Sequence, residues 1–331
     1  MKIIITGASG LIGKRLCNQL KQNGFHVDFL ERYGINKEAV QKDWLSRKNI
    51  FWSNPEILEN ADAVVHLAGA NVAKPWTKDY KKEILESRKI GTTALMQACS
   101  ACSNPPKHII SASGIGYYAE SAPNTLTEES SLGDGFLAEV CKVWEESLFN
   151  NNTKEIPLSV IRTGLVLSNK SKIVEAAKIQ FLLSGMVGSV GNHSNRWSWI
   201  HIIDLCNLYI ALINGTLQPG IYNGVAPNPC TQGEFGKAYE RHPAFKSLKY
   251  LIYLQLQFWA AKQLNGLIRF LGIQKRPIIP EWVIKLAWGE RSVIALTNQY
   301  ISAQKTLSQG FCYQYPTIDL AMQHLQGHPE I

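Results

Sequence analysis

Thr6–Gly13 reads T-G-A-S-G-L-I-G, between a short apolar run, Lys2–Thr6, and a helix-like segment, Lys14–Gln22. Glycine at these three places suits the binding of a diphosphate. Gly7 permits a tight turn, Gly10 lets backbone approach a pyrophosphate with no Cβ in the way, and Gly13 lets a helix lie close on a strand. Peptide N–H groups around Ser9, Gly10, Leu11 and Ile12 would then meet the anion at the positive end of the helix dipole. Thr6 closes the strand ahead of the turn. Glu31 and Arg32 follow the next apolar run, His26–Leu30. A carboxylate there hydrogen-bonds ribose hydroxyls and favours NAD, whereas an arginine pairs with a 2′-phosphate and favours NADP. Leu67, Ala68 and Gly69 end the run that starts at Ala63, and small side chains there leave room for a dinucleotide; a tight turn alone would also want Gly69. Arg162 closes Leu158–Arg162 at the carboxyl end of a strand, where α/β sheets bind ligands.

The elements that must hold these residues alternate. His108–Ser111 and Leu158–Arg162 read as strands, and Thr77–Ala101 and Phe136–Leu148 as helices. Alternation of this kind implies right-handed βαβ crossovers and a Rossmann-type doubly wound parallel sheet of the α/β class. Beyond Arg162 it weakens to a helix at Asp204–Ile213 and a late strand at Gly220–Asn223. The expected organisation is a dinucleotide-binding domain over residues 1–223, with 166–199 contributing in part to a second lobe. A smaller, mostly helical C-terminal lobe follows over 224–331. Leu248–Leu271 is unusually apolar but interrupted by Lys249, Lys262 and Arg269. Packing within the small lobe is favoured over a membrane surface or a homodimer contact, because these charges form no broad basic face.

Composition narrows the class. The chain has 331 residues, 45% hydrophobic and 18% charged, which supports a real core. Its formal charge of +8 is spread out, consistent with an ordinary basic surface or with attraction of an anionic nucleotide. Zinc-finger spacing and RNA-binding aromatic signatures are absent, which argues against nucleic acid. Seven cysteines show no disulfide rhythm, so a reducing, cytoplasmic location is expected. Cys99 and Cys102 form a lone C-x-x-C best explained as two small buried side chains. No uninterrupted apolar stretch reaches the roughly 18 residues a spanning helix needs.

Several motifs together resemble a known group. T-G-x-x-G-x-x-G is similar to the extended and atypical short-chain dehydrogenase/reductases. HLAGANVAKPW (His66–Trp76), ESRKIGT (Glu86–Thr92), SASGIGYY (Ser111–Tyr118), VCKVWEE (Val140–Glu146), RTGLVLS (Arg162–Ser168), WIHIIDL (Trp199–Leu205), YNGVAP (Tyr222–Pro227) and GFCYQYP (Gly310–Pro316) resemble its epimerase family branch. That branch joins an NAD-dependent epimerase/dehydratase-like domain to a short C-terminal domain of unknown function. The resemblance implies a nicotinamide dinucleotide cofactor, with arginine at position 32 pointing to NADP and NAD as the alternative. It also implies adenine contact at Asp62, a substrate-holding serine at Ser113, and Arg88 in a place where asparagine is common. There Arg88 would reach cofactor phosphates or an anionic substrate. His201 and Asp204 fall in a stretch flanking the substrate side, His201 as a base or structural histidine and Asp204 as an N-cap.

One expected feature is missing. Such enzymes pass a proton through Tyr-x-x-x-Lys, and these positions fall on Leu137 and Cys141. Leucine carries no proton and cysteine no fixed charge. Lys142 is adjacent but points about 100° away on a helix. Tyr117 and Tyr118 are the replacement acids, unless they only pack beneath the cofactor. Three readings follow: an oxidoreductase or epimerase acting on a small polar substrate such as a nucleotide-linked sugar, a protein that holds the dinucleotide without turnover, or a membrane-associated assembly factor.

Overall fold

Six parallel strands form the central sheet of the computed structural model, in the order β2-β1-β3-β4-β5-β10 when read from its first edge. In chain order the elements are β1 (Lys2–Thr6), α1 (Leu11–Gln22), β2 (His26–Phe29), β3 (Ala63–His66), α2 (Lys78–Ala101), β4 (Ile109–Gly114), α3 (Phe136–Phe149), β5 (Leu158–Thr163), β6 (Leu165–Leu167), α4 (Lys172–Ser184), β7 (Ser189–Val190), β8 (Arg196–Trp197), β9 (Trp199–His201), α5 (Ile202–Ile213), β10 (Ile221–Gly224), β11 (Cys230–Thr231) and α6 (Gln232–Glu240). The structure describes residues 1–31, 52, 54–119, 124–184, 187–241 and 278–327. Arg32 and the apolar segment 248–271 lie outside them.

β1 and β3 are fully buried Ile and Val runs, as expected of strands covered on both faces. Chain direction across the sheet reverses at β1, whose neighbours are β2 and β3. The carboxyl ends of β1 and β3 therefore flank a switch point, where doubly wound sheets open a crevice. Register sets Thr6 opposite His66 and Ser113 opposite Arg162.

α1 buries Gly13, Leu16, Cys17 and Leu20 at helical spacing, so one stripe faces the sheet. On its other side Gln19 Nε2 donates to Asn207 Oδ1 of α5 at 2.7 Å. Cys99 and Cys102 sit in the apolar core with Leu95, Met96, Ile109 and Leu148.

The chain divides into two compact units. One comprises Met1–Val166, Ser198–Pro227 and Gln299–Gln314; the other comprises Leu167–Trp197, Asn228–Asn298 and Tyr315–Ile331. The sequence boundary at residue 224 put Gln299–Gln314 in the C-terminal lobe, whereas the structure places it with the sheet. Ser198 is the reason: its Oγ donates to Gln299 O at 3.0 Å and accepts the Ile301 N–H at 2.9 Å, while Ile301 bridges to Leu126. In the second unit α6 starts with a capping box between Thr231 and Glu234. α7 (Glu281–Trp288) lies further along the same unit. No helix among the described residues is long and apolar enough to cross a membrane.

Candidate functional site

The glycine turn has the shape its sequence asks for. Gly7 adopts φ +74°, in the left-handed region, and a Cβ there would meet Ala68 N and the Leu67 carbonyl carbon at 2.8 Å. A Cβ on Gly13 would come within 2.4 Å of Gly7 O, so only glycine lets α1 start this close to the turn. Gly10 is the N-cap of α1, exposed, with no side chain capping the helix. Leu11 and Ile12 form the first turn behind it and Ser9 is exposed before it. The N–H groups at this helix mouth therefore have no side-chain acceptor of their own, and the helix carries no acid in its first turn.

Thr6 is turned away from this mouth. It is fully buried, and its Oγ1 lies 2.7 Å from His66 Nδ1 and accepts the Ala68 N–H at 3.3 Å. His66 Nε2 sits 3.0 Å from Thr92 Oγ1, completing a Thr–His–Thr chain that ties β1 and β3 to α2. Burial, helped by the Arg88 charge, pushes the His66 pKa down to about 3, so the ring is neutral. Between its ordinary value of 6.5 and about 3, the unfolded chain binds a proton that the folded chain refuses. Stability therefore rises with pH through that window and is lost as pH falls, by about 1.4 kcal/mol per pH unit at most. Urea unfolding at about pH 7 and about pH 5 should show this loss in the parent protein and a smaller one in His66→Gln. Equal losses would contradict it.

Asp62 corrects an expectation. Its carboxylate accepts the Lys2 N–H and the Lys107 ammonium, each at 2.7 Å, which hold it below the usual aspartate pKa. It stands at the amino end of β3, beside the start of β1 and a strand's length from the glycine turn. The adenine role falls away; Asp62 pins two strands. Glu31 is exposed just after β2.

Gly69 is small for a different reason than the one expected. A Cβ there would lie 3.1 to 3.3 Å from the guanidinium of Arg88, which fills the space beneath it. Arg88 is buried, with Nη1 donating to Ala70 O and Ile84 O, each at 3.1 Å.

The far side of the site is a buried polar network. Arg162 clasps Glu145 with two donors, Nε to Oε1 at 3.0 Å and Nη2 to Oε2 at 2.8 Å. Its Nη1 donates to Tyr118 Oη at 3.0 Å and to Glu128 O at 3.2 Å. Ser113 Oγ donates to Glu145 Oε1 at 2.7 Å. Tyr118 Oη donates to Asn223 Oδ1 at 2.7 Å, and the Asn223 N–H reaches Glu128 Oε1 at 2.8 Å. Burial opposes the charge of Arg162, yet the Glu145 carboxylate holds it protonated above the usual guanidinium range.

This network reassigns several residues. Arg162 directs four hydrogen bonds to protein partners, so the arginine expected as a ligand contact at the strand end is half of an internal ion pair. Ser113 donates its hydroxyl hydrogen bond to a carboxylate. Tyr118 is fully buried and its pKa is pushed up to about 12 by that burial. Tyr117 differs: it is half-buried, its ring lies 3.3 Å over the Arg162 guanidinium, and its hydroxyl makes no hydrogen bond among the described residues.

Leu137, Cys141 and Glu145 share one face of α3 at four-residue spacing. That face meets the end of β4: a Cβ on Gly116 would touch Leu137, and Cys141 Sγ donates to Gly114 O at 3.4 Å. Leu137 and Cys141, where the resemblance would put tyrosine and lysine, line this face, and Glu145, one turn on, reaches Ser113. Glu145 was not among the expected site residues. Its four-residue spacing from Cys141 was the available signal. Glu128 carried none. His201 caps α5, its Nδ1 accepting the Ile203 N–H at 3.1 Å, so the cap is His201 and not Asp204. Asp204 instead accepts the Gln314 N–H at 2.8 Å.

Comparison with known proteins gives concordant results. The model of the NAD dependent epimerase/dehydratase family matches residues 3–223, and a domain of unknown function matches residues 279–325. An epimerase family protein of Staphylococcus saprophyticus is 29% identical over 329 residues, 97% of this chain and 98% of its own. The crystal structure of a human epimerase family protein with NADPH superposes with a TM-score of 0.74 at 24% identity, covering 99% of both chains. A nucleoside-diphosphate sugar epimerase from Corynebacterium glutamicum gives a TM-score of 0.69 at 26% identity, over 99% of this chain and 58% of that one.

Proposed function

Because this chain belongs to the NAD dependent epimerase/dehydratase family, we propose that it takes NADP(H) at the mouth of α1. We further propose that it performs hydride chemistry on a small polar substrate of the nucleotide-linked sugar kind. The observation that supports this most is the glycine turn itself: Gly7 and Gly13 fit only as glycine, and the exposed N-cap Gly10 presents uncapped N–H groups beside the switch point. Gly7, Ser9, Gly10, Leu11, Ile12 and Gly13 would hold the diphosphate. Arg32 would pair with a 2′-phosphate, with Glu31 beside it. NADP(H), when bound, supplies or accepts the hydride.

Tyr117 is the proton carrier in this reading, since its hydroxyl alone of the three candidates is uncommitted among the described residues. Ser113, Tyr118, Glu145 and Arg162 hold the wall on which Tyr117 stacks. Fluorescence titration with NADPH and NADH tests the cofactor. NADPH should bind at least about tenfold tighter, and Arg32→Ala should erase the difference, as expected for loss of one charge-assisted phosphate contact. Equal affinities in the parent protein would overturn the NADP assignment.

A second reading is favoured by one observation. Ser113 and Tyr118 are committed to protein partners, and Leu137 and Cys141 cannot pass a proton. On that reading the protein holds the dinucleotide without turnover. Mixing the NADPH complex with a panel of carbonyl substrates separates the two. Oxidation of NADPH that is lost in Tyr117→Phe with binding intact supports the enzyme; tight binding without oxidation of any panel member supports the holder.

A further inference from the structure

α7 reads E-W-V-I-K-L-A-W, six apolar residues in eight. A helix of this kind ordinarily buries its apolar stripe and shows water a polar back. This one shows water its bulkiest apolar groups. Ile284 is buried and Val283 half-buried, yet Trp282 is 67% exposed and Leu286 82%. At about 100° per residue, both stand about 160° round the helix from Ile284. They are four residues apart, so they form one ridge on the solvent side. Trp288, at the end of the helix, and Ile278, in the two-residue strand β12 (Ile278–Ile279) just before it, are exposed as well. Single exposed apolar residues are ordinary; a ridge of them on the outer side of a helix marks a contact surface.

Charge decides what that surface meets. Basic residues are spread along the chain, but the net charge is not. Residues 242–277, directly ahead of β12, hold Lys246, Lys249, Lys262, Arg269, Lys275 and Arg276 and no aspartate or glutamate. They supply six of the formal +8, which leaves the rest of the chain nearly neutral. Counted over 248–271 alone, the charges form no broad basic face. The wider stretch doubles their number and brings Arg276 and Lys275 to two and three residues before Ile278 in the sequence. α7 itself adds no net charge, because Lys285 pairs with Glu281 at 2.6 Å. The same stretch holds Phe245, Tyr250, Tyr253, Phe258, Trp259 and Phe270. Aromatic and basic side chains without acids are the composition that settles at the headgroup level of an anionic bilayer. A second copy of the chain fits less well, since a symmetric contact would bring the like charges together.

We propose that the ridge of Trp282 and Leu286 on α7 is a docking face for an anionic lipid bilayer, drawn there by the basic residues that precede it. The attachment is peripheral. α7 is too short to span a bilayer, and no apolar run in the sequence reaches the roughly 18 residues that spanning needs. Trp282 and Leu286 enter the headgroup boundary, and the cations meet lipid phosphates. The proposal is independent of the cofactor reading, since it needs neither NADPH nor turnover.

Co-sedimentation of the full chain with vesicles tests it. The vesicles are phosphatidylcholine alone, and phosphatidylcholine with about one-third phosphatidylglycerol, at about 0.1 M and about 0.5 M salt. The parent protein should pellet with the anionic vesicles at low salt, be released at high salt, and stay in solution with phosphatidylcholine alone. Trp282→Ser/Leu286→Ser should weaken binding at least about tenfold. Its thermal midpoint without lipid should be unmoved, because both side chains already face water. Lys275→Gln/Arg276→Gln leaves the ridge intact and should also weaken binding at least about tenfold at low salt, as expected for two cations at an anionic surface. No pelleting of the parent protein with anionic vesicles overturns the proposal, as does equal binding to both kinds of vesicle or parent-like binding by Trp282→Ser/Leu286→Ser. A midpoint lowered by several degrees in that variant would show the ridge covered by the chain's own residues. A parent dimer that the variant turns into a monomer, with no vesicle binding, would show it covered by a second copy. Either result overturns the proposal.

Discussion

Arg162→Met is expected to cost about 3–5 kcal/mol of stability, the usual penalty for stranding one member of a buried ion pair. Glu145 is the member stranded. It would keep only the Ser113 hydroxyl as a partner, in a place where its side chain is 8% exposed. Tyr118 and the Glu128 carbonyl would each lose a donor as well. Marginal stability of about 5–15 kcal/mol makes such a loss visible as poor expression and an early urea midpoint. The double variant Arg162→Met/Glu145→Leu should recover most of it, because apolar side chains of similar volume carry no desolvation penalty. Equilibrium urea unfolding of both variants decides the matter. A single-variant loss below about 1 kcal/mol would show that solvent reaches the pair and screens it.

Gly13→Ala sets two effects against each other. Helix propensity favours alanine over glycine by about 1 kcal/mol. Sterics oppose it: the new Cβ would sit 2.4 Å from Gly7 O and 2.8 Å from Ala8 Cα, both backbone atoms that cannot swing aside. Overpacking costs about 1–3 kcal/mol, and a clash with backbone belongs at the upper end, so destabilisation wins. Gly91→Ala is the control, because it lies inside α2 and a Cβ there meets nothing within 4 Å. Thermal unfolding should show the Gly13 variant lowered by several degrees and the Gly91 variant unchanged or raised. Both moving in the same direction would contradict the steric argument.

How much of this was legible in the sequence depends on how far apart the partners lie. The glycine turn and the first strand are local patterns, and local patterns survive reading without coordinates. The strand–helix alternation gave the parallel sheet for the same reason. Arg162 and Glu145, 17 residues apart, meet only because β5 and α3 cover the same end of β4. Arg162 therefore read as a ligand contact at a strand end when it is half of an internal ion pair. Gly69 read as clearance for a dinucleotide, when the group it clears is Arg88, a helix and 19 residues further on. Asp62 stands before the strand in the sequence too, but its partners, the Lys2 N–H and Lys107, lie 60 and 45 residues away and leave no local pattern. The commitment of Ser113 to Glu145 and of Tyr118 to Asn223 could not be foreseen, since hydroxyl partners have no sequence period.

The account turns on whether a dinucleotide diphosphate sits against the backbone of Gly10, and NADPH titration of Gly10→Val against the parent protein tests this most directly. Gly10 is exposed at φ −72°, and a Cβ there meets only Gly7 O, at 3.3 Å, so the turn must give by a few tenths of an ångström while the cradle fills. NADPH affinity is expected to drop by at least about tenfold, with stability lowered by about 1 kcal/mol for the poorer N-cap and the protein still folded. Parent-like affinity in Gly10→Val, or no measurable affinity in the parent protein, would contradict the proposed site.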